Sequence, residues 1–139
     1  MRYLLDTNII SEFTRPAPSA SLVAWMAEQA DGDLFISALA IAKIRRGILE
    51  APAGRRRDAL ESWFSGSAGP SALFAGRILP FDEAAALAWA RLMANGRARG
   101  RPRSALDTIV AAIAEANECV VVTNNERDFE GVEIFNPMS

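Results

Sequence analysis

The sequence contains no histidine, a single cysteine (Cys119) and a single lysine (Lys43) in 139 residues. The missing histidine removes the commonest general base, the usual zinc ligand and every Ser-His or Cys-His nucleophile system. Catalysis must then rest on carboxylates, hydroxyls, amides and metals. One cysteine excludes an internal disulfide and fits a reducing compartment, so a cytoplasmic location is expected. No run approaches the ~18 apolar residues of a membrane span, so no membrane association is expected. The chain opens directly on a strand pattern, which predicts that no signal peptide precedes it.

Half of the residues are apolar, enough for one core, and the length suits a single domain over 1–139. The net charge of −2 argues against a purely electrostatic nucleic-acid binder. Positive charge is nevertheless concentrated. Arg55–Arg57 form one block, and Arg91, Arg97, Arg99, Arg101 and Arg103 form another. The first block reads as a solvated helix face. The second lies in a polar loop with Gly and Pro, a composition suited to phosphate contact.

Tyr3-Leu4-Leu5 and Val120-Val121-Val122 are short apolar runs without alternation, the pattern of strands buried on both faces. Leu34-Phe35-Ile36 is a third, and Ile78-Leu79 and Ile134-Phe135 are shorter candidates. Helical spacing lies between them. Ser37, Asp82 and Ser104 are placed to cap helices. The helix after Asp82 is expected to fray near Asn95-Gly96, with Arg97–Arg103 as an exposed loop. The helix after Ser104 is expected to bury Leu106, Ile109, Val110 and Ile113. Trp25, Trp63 and Trp89 fit the core better than a base-stacking platform. Strands alternating with helices predict an α/β fold with a parallel sheet of about four to five strands flanked by helices.

Ligands of open α/β sheets sit at the carboxyl ends of the strands. Asp6 follows the first strand, with Thr7 and Asn8 after it. Thr123-Asn124-Asn125 follows the Val120–Val122 run, with Asp128 close behind. Asp107 lies one turn into the helix that feeds that run. Hard divalent cations take oxygen ligands, usually one or two carboxylates plus water, and Asp6 and Asp107 could supply them. Each residue has a plainer reading. Asp6 could cap the helix after it, Ser104-Ala105-Leu106-Asp107 could be a capping box, and the asparagines could be loop residues.

In combination these segments resemble a PIN-domain protein of the VapC toxin type. The resemblance is carried by residues 3–12 (Tyr-Leu-Leu-Asp-Thr-Asn-Ile-Ile-Ser-Glu), 36–48 (Ile-Ser-Ala-Leu-Ala-Ile-Ala-Lys-Ile-Arg-Arg-Gly-Ile), 76–82, 106–114 and 121–129, in order and spacing, and by the closing Asn136-Pro137. It implies a PIN-like three-layer fold, usually in a homodimer. It implies Mg²⁺- or Mn²⁺-dependent endoribonuclease activity, with RNA as substrate, restrained by a cognate VapB-type antitoxin. In that chemistry, carboxylate-held metal polarises the phosphate and activates a water. Position by position, Asp6 and Asp107 match metal-ligating acids. Asn125 matches a further catalytic position, and Thr7, Asn8, Thr123 and Asp128 are accessory. Arg97, Arg99, Arg101 and Arg103 are candidates for guiding RNA.

Lys43 departs from the pattern, since the family has Glu in Ile-Ala-Glu-Leu-Arg where this chain has Ile-Ala-Lys-Ile-Arg. The exchange changes local charge by two units. A divalent ion about 5 Å away, at an effective dielectric constant of about 20, is disfavoured by on the order of 10 kcal/mol before salt and relaxation reduce it. The ammonium could instead bridge Asp6 and Asp107. Lys43 is either native or an inactivating change in a toxic enzyme. Arginine at every other basic position favours the second origin, and a lysine codon in the source gene would exclude it. The alternative to a silenced ribonuclease is a naturally non-catalytic PIN domain that binds antitoxin or RNA. A phosphoacceptor α/β domain fits poorly, because Asp6-Thr7-Asn8 lacks a second acid two residues on.

Overall fold

A computed structural model describes residues 1–138. Strand β1 (Arg2–Leu5) lies at the centre of a five-stranded, all-parallel sheet. Helices α1 (Thr7–Glu12) and α2 (Ala20–Ala27) lead to β2 (Leu34–Ser37). Helices α3 (Ala38–Glu50), α4 (Arg55–Ser65) and the short α5 (Pro70–Leu73) lead to β3 (Ile78–Leu79). Helices α6 (Glu83–Ala98) and α7 (Ala105–Ala116) lead to β4 (Cys119–Val122). A 3-10 turn (Glu126–Phe129) precedes β5 (Ile134–Phe135). The strand order is β3-β2-β1-β4-β5. The chain thus winds outward from β1 on one side, then returns to its other side. The reversal falls between β1 and β4, where open α/β sheets bind ligands.

The unbroken apolar runs reflect burial on both sheet faces. Leu4 and Val121 pack with α6 and α7 in one core layer, through Ala85, Leu92, Val110 and Ile113. Leu5 and Val122, one residue on, pack into the opposite layer with Ile9, Leu22, Ile36, Ile44 and Ile48. This is the two-residue period of a strand written twice. The three tryptophans are half-buried against these layers, as expected. No helix among the described residues is long and apolar enough to cross a membrane.

Two helix expectations need correction. Leu106 is 47% exposed, and the buried face of α7 begins only at Thr108. Helix α6 does not fray at Asn95-Gly96 but runs through Arg97 to Ala98. It ends in a Schellman motif. The Gly100 amide donates to the Arg97 carbonyl at 3.0 Å and the Arg101 amide to the Gly96 carbonyl at 2.8 Å, with Gly100 at φ +70°. Gly96 is buried because the returning chain crosses it. A Cβ there would lie 2.8 Å from the Arg101 carbonyl oxygen and 3.1 Å from the Arg103 side chain. Gly96→Ala is accordingly expected to cost about 1–3 kcal/mol through overpacking, read as a lower denaturant midpoint.

Candidate active site

The register of β1 on β4 builds the site. Leu5 pairs with Val122, and the Asp6 amide donates to the Val122 carbonyl at 2.9 Å. Asp6 and Thr123 therefore leave the sheet side by side. Asp6 is 7% exposed and Thr123 fully buried. The Thr123 hydroxyl donates to Asp6 Oδ2 at 3.0 Å. It accepts from the Asn8 side-chain amide at 3.2 Å and from the Asn125 backbone amide at 2.9 Å. Asp6 Oδ1 accepts from the Thr7 amide at 2.8 Å. Asp6 is thus the N-cap of α1 as well as a buried carboxylate at the switch point; the two readings coexist. The Thr7 hydroxyl and the Asn8 side-chain oxygen are buried without a partner among the described residues.

Asp107 approaches from α7. The Ser104 hydroxyl accepts from the Asp107 amide at 3.4 Å, one arm of a capping box. The Asp107 carboxylate faces α3 instead, with Oδ1 3.6 Å from Lys43 Nζ. Both side chains are about a quarter exposed. Lys43 forms its ion pair with Asp107; toward Asp6 it acts only through its field. Burial pushes the Asp6 carboxyl above its ordinary 3.8. The Thr7 and Thr123 hydrogen bonds and the Lys43 charge oppose that shift, and the Asp107 charge adds to it.

A folded-state pKa above the unfolded value means the folded chain binds this proton more readily. The stability this group contributes is present in full below about pH 3.8 and is lost as pH rises through its folded pKa. Asp6→Asn should remove that component. The difference in denaturant midpoint between variant and unmodified chain should change across this acid range and level off above it.

The structure brings together Asp6, Thr7, Asn8, Lys43, Asp107 and Thr123, and ties in the Asn125 backbone. The Asn125 side chain is exposed and its amide donates to Asp128. Asp128 is directed to a neighbouring cleft of about 600 Å³, shared with Ser104 and with Arg99, Arg101, Arg103 and Arg127. Arg97 stands outside this cleft, on the last turn of α6. Sequence reasoning missed Arg127, one arginine in an acidic turn with no repeating pattern to signal it.

The sequence model of the PIN domain family matches residues 3–134. The chain belongs to the PIN-domain family. It is similar to VapC ribonuclease Y4jK of Sinorhizobium fredii, with 37% identity over 136 residues and 96% of each chain covered. Toxin FitB of Neisseria gonorrhoeae is also 37% identical, again over 96% of both chains. Among solved structures, one of FitAB bound to an IR36 DNA fragment aligns with a TM-score of 0.89 and 35% identity, covering 99% of this chain and 96% of that one. The five-stranded parallel sheet with helices on both sides is thus a PIN fold. In this PIN domain the carboxyl edge of the sheet carries two carboxylates and an ammonium.

Proposed function

We propose that this chain is the toxin of a type II toxin–antitoxin pair, built around an endoribonuclease site that Lys43 silences. The observation that carries this reading is the meeting of Asp6 and Asp107, far apart in sequence, across the β1–β4 switch point with the Lys43 ammonium 3.6 Å from Asp107. The similarity to a VapC ribonuclease and to FitB supports RNA phosphodiester hydrolysis as the reaction class.

That class depends on a Mg²⁺ or Mn²⁺ ion in the family at large, and the donor set of this chain does not fit one. Each Asp6 oxygen accepts one hydrogen bond and keeps a lone pair for a cation, so the misfit lies with the ammonium. Asp107 faces a cation of the chain's own. No cluster of three or more acidic, histidine or cysteine side chains suited to a metal occurs among the described residues. Lys43 supplies internally the positive charge that two close carboxylates require. Thr123 and the Thr7 amide orient Asp6, and Asn125 is tied to the same hydroxyl through its backbone.

Similarity to FitAB supports a cognate antitoxin as partner. A small cavity of about 170 Å³, lined almost wholly by apolar side chains and rimmed by Phe13 and Leu73, suits an apolar segment of a protein chain. A homodimer of this chain is the other assembly we propose. The second reading, a naturally non-catalytic PIN module, is favoured by the Lys43–Asp107 ion pair, which meets one acid of the site with a cation of the chain's own.

RNA cleavage by the chain and by Lys43→Glu, each with and without Mg²⁺ or Mn²⁺, separates the two. Metal-dependent cleavage by the variant alone supports the silenced ribonuclease. No cleavage by either, with RNA or antitoxin still bound, supports the module. Cleavage by the unmodified chain sinks the role given to Lys43.

A further inference from the structure

We propose that Arg99 and Arg127 bind the RNA phosphate backbone in the cleft between the end of α6 and the Glu126–Phe129 turn. In this arrangement Arg101 and Arg103 shape the cleft and do not hold RNA. The proposal rests on RNA as the substrate class argued above and assigns the residues that grip it.

The four guanidinium groups of the cleft are not equivalent. Arg101 is ion-paired with Glu130. Arg103 donates to the Glu130 backbone carbonyl at 2.8 Å and packs against Gly96 and Gly131. These two fasten the loop after α6 to the segment before β5. Asp128, the second acid of the cleft, accepts from the Asn125 amide. Arg99 and Arg127 are exposed and have neither ion pair nor side-chain hydrogen bond to any described residue. Each keeps its full set of guanidinium donors, a geometry matched to phosphate oxygens. Four guanidinium groups against two carboxylates leave the cleft positive.

Position supports a nucleic-acid strand over a small anion. The cleft shares Ser104 with the first turn of α7, which carries Asp107. Its wall continues from Asp128 to Asn125, then to Thr123 and Asp6 through hydrogen bonds. A strand that passes the Lys43 ammonium at the carboxyl edge of the sheet can therefore run on into the cleft. The two free arginines come from separate elements, the C-cap of α6 and the 3-10 turn, and the clamp between Glu130 and Arg101 and Arg103 holds those elements together.

The test is binding of a fluorescently labelled single-stranded RNA to the full chain in EDTA, by anisotropy over a salt series, so that no cleavage enters. The Arg99→Gln/Arg127→Gln double variant should bind roughly tenfold or more weakly at low salt. Its slope of log K against log salt should fall by about 1.4, close to 0.7 for each lost phosphate contact on a single strand. Arg56→Gln, on the solvated face of α4, should leave the slope unchanged. An unchanged slope in the double variant, or equal losses in Arg56→Gln, overturns the assignment while leaving the RNA reading intact. Normal RNA binding with lost antitoxin binding in the double variant overturns it in favour of a protein occupant. Absence of RNA binding by the unmodified chain defeats the RNA reading itself, and the assignment with it.

Discussion

Lys43→Glu is expected to raise affinity for Mg²⁺ or Mn²⁺ by at least two orders of magnitude. The exchange moves local charge by two units beside Asp6 and Asp107, which already sense each other and Lys43. The unscreened effect on a divalent ion is on the order of 10 kcal/mol at an effective dielectric constant near 20, and a third of it remains a factor of more than a hundred. The cost appears without metal. The variant loses the Lys43–Asp107 pair, worth about 0–1 kcal/mol at this exposure, and gains a third carboxylate. Its melting temperature in EDTA should fall below that of the unmodified chain. Metal at a hundred times its Kd should then add about 2.7 kcal/mol. A metal-dependent thermal shift in the variant and none in the unmodified chain is the expected pair of results. Equal shifts in both would remove Lys43 from the account.

Thr123→Val is expected to destabilise the fold by about 3 kcal/mol, roughly 10 °C in melting temperature. The substitution keeps the shape of a fully buried side chain and removes a hydroxyl with three partners. Asp6 loses a donor, and the Asn8 amide and the Asn125 N–H lose their acceptor. Each buried group left unmatched costs about 1–3 kcal/mol. Thr123→Ser retains the hydroxyl and should lose only about 1 kcal/mol with the methyl group. The Asp6 carboxyl should titrate higher still in the valine variant, because one of the hydrogen bonds that holds it down is gone. A valine variant within 0.5 kcal/mol of the unmodified chain would show that Thr123 does not organise the site.

Elements buried on both sides were legible in the sequence. Leu4-Leu5 and Val121-Val122 feed opposite core layers, so both positions of the period must be apolar. Asp6 and Asp107 were legible because they stand at a strand end and a helix start, where residue type has positional meaning, and Lys43, inside α3, because it is the single lysine and stands where the resemblance implies Glu. A hydrogen bond from Thr123 to a site carboxylate was legible too, but not that Asp6 is its partner, since cross-strand register is set by packing of the whole sheet. Gly96 misled for a related reason. Its lack of a side chain makes room for the returning chain, and the helix stop belongs to Gly100. Leu106 failed because one apolar residue in a first turn need not lie on the buried stripe. Asp107 was ambiguous between cap and site until its carboxylate was seen to face α3, leaving only its amide in the capping box.

The central position of β1 also has a consequence for synthesis in the cell. Asp6 leaves the ribosome well before the strand beside it and the hydroxyl that orients it, which belong to β4 and Thr123. Their contact spans 117 residues, and contacts of such separation form late. A nascent or prematurely released chain therefore carries the first acid without the site. The carboxyl-edge site is complete only once β4 has emerged and paired with β1.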